Sequence, residues 1–522
     1  MSPRRLLWGL IVASGVIRLL WGSALGLGMD EAYHAQFIDH PDWSYFDHPP
    51  MLALVEGLGV AAAGGRVEPI TLRLGFIVLF AGSTWMMARL GARFFGEWEG
   101  LLAAFALNVS AYHTAAAGAF ALPDGPLLFC WLLTLDRVAA AVERPDRLGG
   151  WLAVGLAWGG AMLSKYHAVF LPAGVFLYAV AEPSARRLLR RPGPYLAVAV
   201  GLTLFAPVIY WNATHGWASF LFQGNRAVGG GVRLRPDALL GAVAGQAAYL
   251  FPWIWLPLLG LLAGRLRHFR AASPAERFLA CQAVAPLAVF TAVACVRPVL
   301  PHWTLVGYLS IFPLLGRAWE ARWRVDPARM RRKLATLAAI PALAMLLFAV
   351  QARTGVLNDL GLPVAADPTT DLVGWDQVAR AAGRLGLFDR PGTFLFTGSW
   401  SLSGQVSFAA RDLGVPVLCY NRRDPHNYAS WSRPEDWVGR DGVLVSLAET
   451  RHEPAAYNRY FERIDPPIPV DVVRGGRVIR RVNLTRCVRQ VMPFPFDLGL
   501  RLGRDGSGFS GASGPARPPT RL

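Results

Sequence analysis

The sequence has few charged residues and almost no lysine. Only 17% of its 522 residues are charged and 53% are hydrophobic, whereas soluble domains are about 25% charged. Lys165 and Lys333 are the only lysines, so arginine supplies nearly all of the basic charge. This composition argues against an ordinary soluble enzyme and predicts a polytopic membrane protein. In such a protein, basic residues collect in cytoplasmic loops and hold the topology. Because this explains the net positive charge, nucleic acid is not a predicted partner.

The five cysteines form no metal or redox motif, because no C-x-x-C spacing occurs. Cys419 and Cys487 lie in the C-terminal region, where a disulfide is one alternative in an oxidising compartment. A glycine-rich nucleotide loop and internal repeats are also missing. An enzyme that works outside the cytoplasm without a nucleotide site needs a lipid-linked donor.

Long apolar runs divide the first two thirds of the chain. A spanning helix needs roughly 20 apolar residues, and about eleven segments approach that length. Residues 50–64 are apolar but short and contain Glu56, which predicts an interfacial helix. The first run is predicted to be an uncleaved span. The predicted spans are residues 6–27, 70–88, 100–118, 125–142, 149–164, 168–181, 195–211, 238–264, 278–296, 303–318 and 334–351.

Basic residues are distributed unevenly between the loops, which predicts the orientation of the chain. A cytoplasmic N-terminus places most of them inside, in loops 89–99, 137–148, 183–193, 265–277 and 317–333. The predicted location is therefore the bacterial inner membrane, with the polar motifs on the periplasmic face.

Three domains are predicted. Residues 1–351 form an all-α transmembrane domain, residues 352–485 a small periplasmic α/β domain, and residues 486–522 a C-terminal tail whose last part is predicted to be disordered. Alternating apolar strands and helices carry the α/β prediction. The strands are predicted at residues 393–397, 415–419 and 442–446, and the helices at 376–387 and 403–412.

Residues 28–51 follow the first span and contain a dense group of ionisable side chains. Asp30 and Glu31 are adjacent, and Asp47 precedes His48 in Asp-His-Pro-Pro. Such groups are costly near lipid and are usually kept for chemistry or for a polar ligand. A carboxylate here can deprotonate an acceptor hydroxyl; the alternative is that Asp30 caps an interfacial helix.

Other candidates lie at the outer ends of later segments. Asp124 either caps a helix or positions substrate, and Lys165 is predicted to contact a phosphate. Arg226, Arg297 and His302 accompany aromatic residues that suit a lipid phosphate, although aromatic residues also anchor proteins at the membrane surface.

His34, His40 and His48 lie near the acidic residues and raise the alternative of a zinc site. Their spacings of six and eight residues match no tight metal motif. A divalent metal therefore has no support from spacing, and the sequence requires no cofactor.

Together these motifs resemble bacterial polytopic GT-C glycosyltransferases, the relatives of dolichyl-phosphate-mannose protein mannosyltransferases and lipid A aminoarabinose transferases. The resemblance covers roughly residues 1–350 and implies a polyprenyl-phosphate sugar donor and inverting transfer outside the membrane. It also implies a catalytic acidic residue in the first outer loop, here Asp30 beside Glu31. In the aminoarabinose branch a glutamate and histidines bind zinc. The motifs are Asp30-Glu31-Ala-Tyr-His, Tyr45-Phe-Asp47-His-Pro-Pro-Met, Leu-Pro-Asp124, Leu-Ser-Lys165-Tyr, Trp211-Asn-Ala-Thr-His-Gly-Trp-Ala-Ser-Phe and Pro301-His302-Trp303.

The sequence thus predicts a glycosyltransferase that moves a hexosyl or pentosyl group to lipid A, lipopolysaccharide or another envelope glycan, with membrane lipid as its surroundings. Asp30 is the predicted general base, and Lys165 with Arg226 the predicted phosphate site. A protein O-mannosyltransferase-like enzyme is one alternative, and a transporter or flippase for a lipid-linked glycan is another. Transporters carry ionisable groups near the midplane and often have repeated halves, whereas these spans hold little charge besides Arg18 and Arg73.

Overall fold

The computed structural model describes residues 2–228, 233–449 and 454–496. Many long helices begin with proline at the first or second position, where a missing N–H removes no helical hydrogen bond. The helices of the first domain are α1 Pro3–Ala24, α2 Met29–His34, α3 Met51–Ala62, α4 Pro69–Phe94, α5 Glu97–Asn108, α6 Ala111–Thr114, α7 Ala116–Ala119, α8 Asp124–Glu143, α9 Leu148–Ser164, α10 Phe170–Ala181, α11 Pro192–Thr214, α12 Ala218–Val228, α13 Pro236–Leu250, α14 Pro252–Arg267, α15 Pro274–Ala294, α16 Leu305–Tyr308, α17 Phe312–Val325 and α18 Pro327–Thr354.

Six helices among the described residues are long and apolar enough to cross a membrane, namely α1, α4, α8, α11, α15 and α18. Two bent pairs raise the number to eight if each counts as one span: Tyr166–Ala181 with Pro183–Arg190, and α13 with α14. The multi-pass helical architecture is confirmed, and α3 is a short apolar helix where an interfacial one is predicted. The count of about eleven spans stays a prediction.

The segment predicted as one span at 238–264 is not straight. α13 and α14 meet at an angle of 112°. Phe251 between them has a φ of 63°, and Pro252 cannot donate the hydrogen bond that would continue the helix. The predicted segment is therefore bent at this point, and its crossing of the membrane as one span stays a prediction.

The second domain contains a six-stranded mixed sheet with two helices of ten residues packed on it. The elements are α19 Val356–Asp359, α20 Trp375–Arg384, α21 Trp400–Ala409, α22 Tyr428–Trp431, β1 Phe394–Thr397, β2 Val417–Cys419, β3 Gly442–Leu447, β4 Phe461–Ile464, β5 Ile468–Arg474 and β6 Arg477–Gln490. The strand order is β2-β1-β3-β6-β4, with β5 also paired to β6. β1 pairs in parallel with β2 and β3, and β6 pairs antiparallel with β3, β4 and β5.

The sheet contains the three predicted strands and a second, antiparallel half that was not predicted. β6 runs to Gln490, beyond the predicted boundary at 485. The disordered tail predicted from about 503 lies outside the described residues. The alternative of a Cys419–Cys487 disulfide is wrong: both thiols are free, because two strands lie between β2 and β6.

Aromatic residues from both domains share one hydrophobic cluster. Tyr33 and Tyr45, from the segment 28–51 that follows α1, pack in it with Cys419 and Tyr428 of the second domain. At Gly404 in α21 an added Cβ would lie 2.7 Å from the backbone nitrogen of Tyr33. This close approach places α21 directly against α2, the helix that carries the predicted catalytic residues.

Candidate active site

Asp30 lies in the first turn of α2 and is exposed to solvent. Within the described parts of the chain, no residue donates a hydrogen bond or an ion pair to its carboxylate. Crowding by the surrounding protein raises the pKa of Asp30, while the charges of nearby His34 and His426 act in the opposite direction. Asp30 therefore combines an open carboxylate with a raised proton affinity, as a general base requires.

Glu31, the neighbouring residue, is buried and fully engaged. Arg73 donates to its two oxygens from Nε at 2.8 Å and from Nη2 at 2.6 Å. The backbone N–H groups of Ala121 and Gly28 donate to the same oxygens at 2.9 and 3.0 Å. These contacts tie α2 to α4 and to the chain before α8, so Glu31 can hold Asp30 in place but has little capacity left for a substrate.

Arg73, placed in a span by the sequence, completes this link. Its guanidinium donates to the carbonyl oxygens of Gly22, Leu25 and Gly26 at 2.6 to 2.9 Å. Those carbonyls belong to the C-terminal end of α1 and the turn after it, where helical oxygens have no intrahelical partner. One buried arginine thus fixes the end of α1 and the start of α2 together.

Asp47 is buried at the centre of a cluster of polar side chains. The Tyr33 hydroxyl donates to its Oδ1 at 3.4 Å, and His48 Nε2 lies 3.6 Å from its Oδ2. His426 Nδ1 lies 3.7 Å from the same Oδ2. Burial alone would raise the pKa of Asp47, but the histidines hold it well below its usual range.

His426 was not identified from the sequence, and it comes from the second domain. Its Nε2 lies 3.2 Å from Asp424 Oδ1. Burial lowers the pKa of His426, but Asp424 and Asp47 outweigh burial and raise it to about 9. The imidazole is therefore a cation between two carboxylates. Its position next to Asp-Pro carried no motif that could have pointed to it.

Asp124 and Lys165 form a buried ion pair at the N-terminal end of α8. Lys165 Nζ donates to both carboxylate oxygens, at 3.0 and 2.8 Å. His302 lies near this pair and stacks on Tyr112 at 5.5 Å between ring centroids. The charge of Lys165 is thus balanced by Asp124 in this structure, and its contact with a phosphate stays a prediction.

Arg226 is an exposed cation whose charge interacts with that of His302. Its guanidinium lies over the rings of Phe222 and Trp303, at 5.0 and 5.3 Å from their centroids. It makes no ion pair with any described residue, and its charge interacts with Asp47, Asp424 and Asp30. Arg297 lies next to it and donates to the Asn225 carbonyl at 3.3 Å.

His34, Asp47 and His48 could hold a metal ion, since their ligand atoms all lie within 4.8 Å of one another. Two imidazoles and a carboxylate are a set that zinc accepts. Burial lowers the pKa of His48 to about 3, which leaves its ring neutral and able to bind metal. His40, the third candidate histidine, instead stacks on Trp431 at 4.5 Å.

Known proteins share this architecture. The family model for dolichyl-phosphate-mannose-protein mannosyltransferase matches residues 47–211. A lipid A galacturonosyltransferase of Rhizobium johnstonii is 25% identical over 468 residues, which cover 86% of this chain and 93% of that protein. The crystal structure of ArnT from Cupriavidus metallidurans bound to undecaprenyl phosphate matches with a TM-score of 0.65 at 18% identity, over 91% of this chain and 97% of ArnT. For its apo state the TM-score is 0.62.

The chain has an ArnT-like GT-C fold. In this GT-C chain the family match begins at Asp47 and includes Asp124 and Lys165. Asp30, Arg226 and His426 lie outside the matched residues, so their place near Asp47 comes from the geometry of the fold.

Proposed function

We propose that this chain is an inverting glycosyltransferase that moves a sugar from a polyprenyl-phosphate donor to lipid A at the periplasmic face of the inner membrane. The observation that carries the proposal is that the exposed carboxylate of Asp30 and the exposed guanidinium of Arg226 are close enough for their charges to interact. Neither group forms an ion pair with another described residue. A carboxylate of this kind can deprotonate a hydroxyl acceptor, and a cation of this kind can stabilise a phosphate leaving group.

In the proposed reaction, Asp30 takes the proton of an acceptor hydroxyl while the acceptor oxygen attacks the anomeric carbon of the donor sugar. The bond from that carbon to the phosphate oxygen breaks, and polyprenyl phosphate leaves with the bonding electrons. Arg226, with Arg297 and His302 beside it, stabilises the charge that develops on the phosphate. Attack opposite the leaving group inverts the anomeric centre.

The remaining polar residues are proposed to position substrates. Asp47 lies close enough to Asp30 to raise its pKa, and His48 pairs with Asp47. Asp124 and Lys165 form a buried ion pair. A metal at His34, Asp47 and His48 would supply a further positive charge. The galacturonosyltransferase relative supports a hexuronic acid as the first sugar to test, and lipid A as the first acceptor.

Transfer by the purified, reconstituted protein tests the proposal. Lipid A should gain the mass of one sugar when a polyprenyl-phosphate sugar is supplied, with hexuronic acid, hexose and aminopentose donors compared.

Asp30→Asn should remain folded and lose about two or more orders of magnitude in turnover, as loss of a general base does. Retention of more than half of wild-type turnover would exclude Asp30 as the base. If the acceptor group is a phosphate, which is already ionised, the loss should be much smaller. Transfer to a peptide hydroxyl but not to lipid A would favour the protein O-mannosyltransferase-like alternative.

A further inference from the structure

A loop of the second domain reaches the candidate active site. This His426 loop, residues 421–431, follows β2 and packs against the first outer loop. Asn427 Oδ1 accepts a hydrogen bond from the backbone N–H of Phe46 at 2.7 Å, and its own N–H donates to the Tyr33 hydroxyl at 3.3 Å. Phe46 directly precedes Asp47, and the Tyr33 hydroxyl donates to the Asp47 carboxylate. The position of the loop and that of Asp47 are therefore linked.

The conformation of His426 is held by its surroundings. Its side chain is 7% exposed, and its ring stacks on Trp400 at 4.3 Å with the planes 19° apart. Its φ of 49° is in the left-handed region, which costs energy for a residue with a side chain. A strained, buried and charged side chain persists only where neighbouring contacts over-determine it.

Those contacts direct His426 toward Asp47. In the described part of the chain Nδ1 has no hydrogen-bond partner, and the nearest acceptor with which it pairs is Asp47 Oδ2 at 3.7 Å. That distance is an ion-pair contact, longer than a hydrogen bond. Catalytic contacts in ligand-free structures are often long and shorten when substrate binds. On the other side of the ring, Asp424 holds Nε2.

We propose that His426 is a positioning residue that the C-terminal domain contributes to the active site, and that it fixes the Asp47 carboxylate toward the acceptor or the donor sugar. The inference rests on the proposed transferase function. Asp47 is then held by Tyr33 and His48 of the membrane domain and by His426 of the C-terminal domain. The C-terminal domain is therefore part of the catalytic unit.

A double-mutant cycle tests whether His426 acts through Asp47. His426→Ala should lower kcat/KM by about ten- to hundredfold, the range for loss of a charge-assisted contact. In an Asp47→Asn background the same change should have little further effect, since coupled residues are not additive. Asp424→Asn should give a smaller loss with the same dependence on Asp47. Fully additive losses would overturn the proposal.

The conservative variant and a matched control separate positioning from folding. His426→Asn keeps an N–H donor near the Nδ1 position and should regain part of the lost activity. His268→Gln, at an exposed histidine in the loop before α15, should behave as wild type. If His426→Ala folds and retains wild-type kcat/KM, the positioning role is wrong while the transferase proposal stands. If wild-type protein transfers no sugar, the proposed function itself fails.

Discussion

At the scale of single residues, Asp124 and Lys165 depend on each other. Their side chains are only 11% and 7% exposed, and removing one partner of a buried pair leaves the other charge uncompensated. Lys165→Ala should lower the free energy of unfolding by about 3–5 kcal/mol and catalytic efficiency by about ten- to hundredfold. Lys165→Arg should restore both in part, because its charge is kept but its geometry differs.

The double variant Lys165→Met with Asp124→Leu separates stability from activity. Thermal unfolding in detergent should show that stability is largely regained, since an apolar pair can replace a buried ion pair. Transfer activity should remain low. Wild-type kcat/KM in the double variant would reduce this pair to a structural link between α8 and the chain after α9.

The pH dependence of transfer reports on Asp30. A general base must be ionised, and the crowding around Asp30 raises its pKa above the ordinary 3.8. We therefore expect kcat/KM to fall as the pH is lowered, with a midpoint above that of an ordinary aspartate, and to be level above it. Asp30→Glu should keep this acid limb with a shifted midpoint, measured by initial rates at subsaturating donor. An identical midpoint in Asp30→Glu would assign the limb to another group.

What the sequence could predict at this scale depended on how local the signal was. Asp30, Asp47 and His48 lie in one short stretch with recognisable motifs, and the fold brings them together. His426 joins them from the far end of the chain through tertiary packing, which spacing cannot reveal. The pairing of Lys165 with Asp124 was likewise hidden, because a lysine that contacts a phosphate and one that pairs with a carboxylate have the same sequence.

At the scale of elements, α21 is held against α2 by a residue without a side chain. A methyl group at Gly404 would lie within 3 Å of Tyr33 backbone atoms, so Gly404→Ala must push the two domains apart. We expect a loss of about 1–3 kcal/mol in the free energy of unfolding and a drop in transfer activity. Gly383→Ala is the matched control, since this residue of α20 has no atom within 4 Å of the added carbon. Equal stability and activity in the two variants would contradict a close α2–α21 contact.

Elements were predicted best where hydrophobic runs are long. α1 lies within three residues of its predicted bounds, and α4 and α18 contain the whole of their predicted spans, because lipid-facing helices need continuous apolar sequence. β4, β5 and β6 were missed, since exposed charged residues interrupt the apolar ones, for example Asp471 in β5 and Arg481 in β6. Such half-exposed antiparallel strands carry a weaker signal than buried parallel ones.

At the scale of the whole molecule, the proposal requires the candidate active site and the C-terminal domain to lie on the same side of the membrane, opposite the arginine-rich loops. Cysteines introduced at Arg66 and Asp376 should react with an impermeant reagent in cells with a permeabilised outer membrane, and those at Arg190 and Arg331 should not. All four positions are exposed, so a difference in labelling reports the side of the membrane and not burial. Disrupting the inner membrane should make the second pair reactive, which controls for accessibility. Labelling of position 190 in intact cells would reverse the orientation that positive charge predicts, and chemistry on a periplasmic acceptor would have to be abandoned.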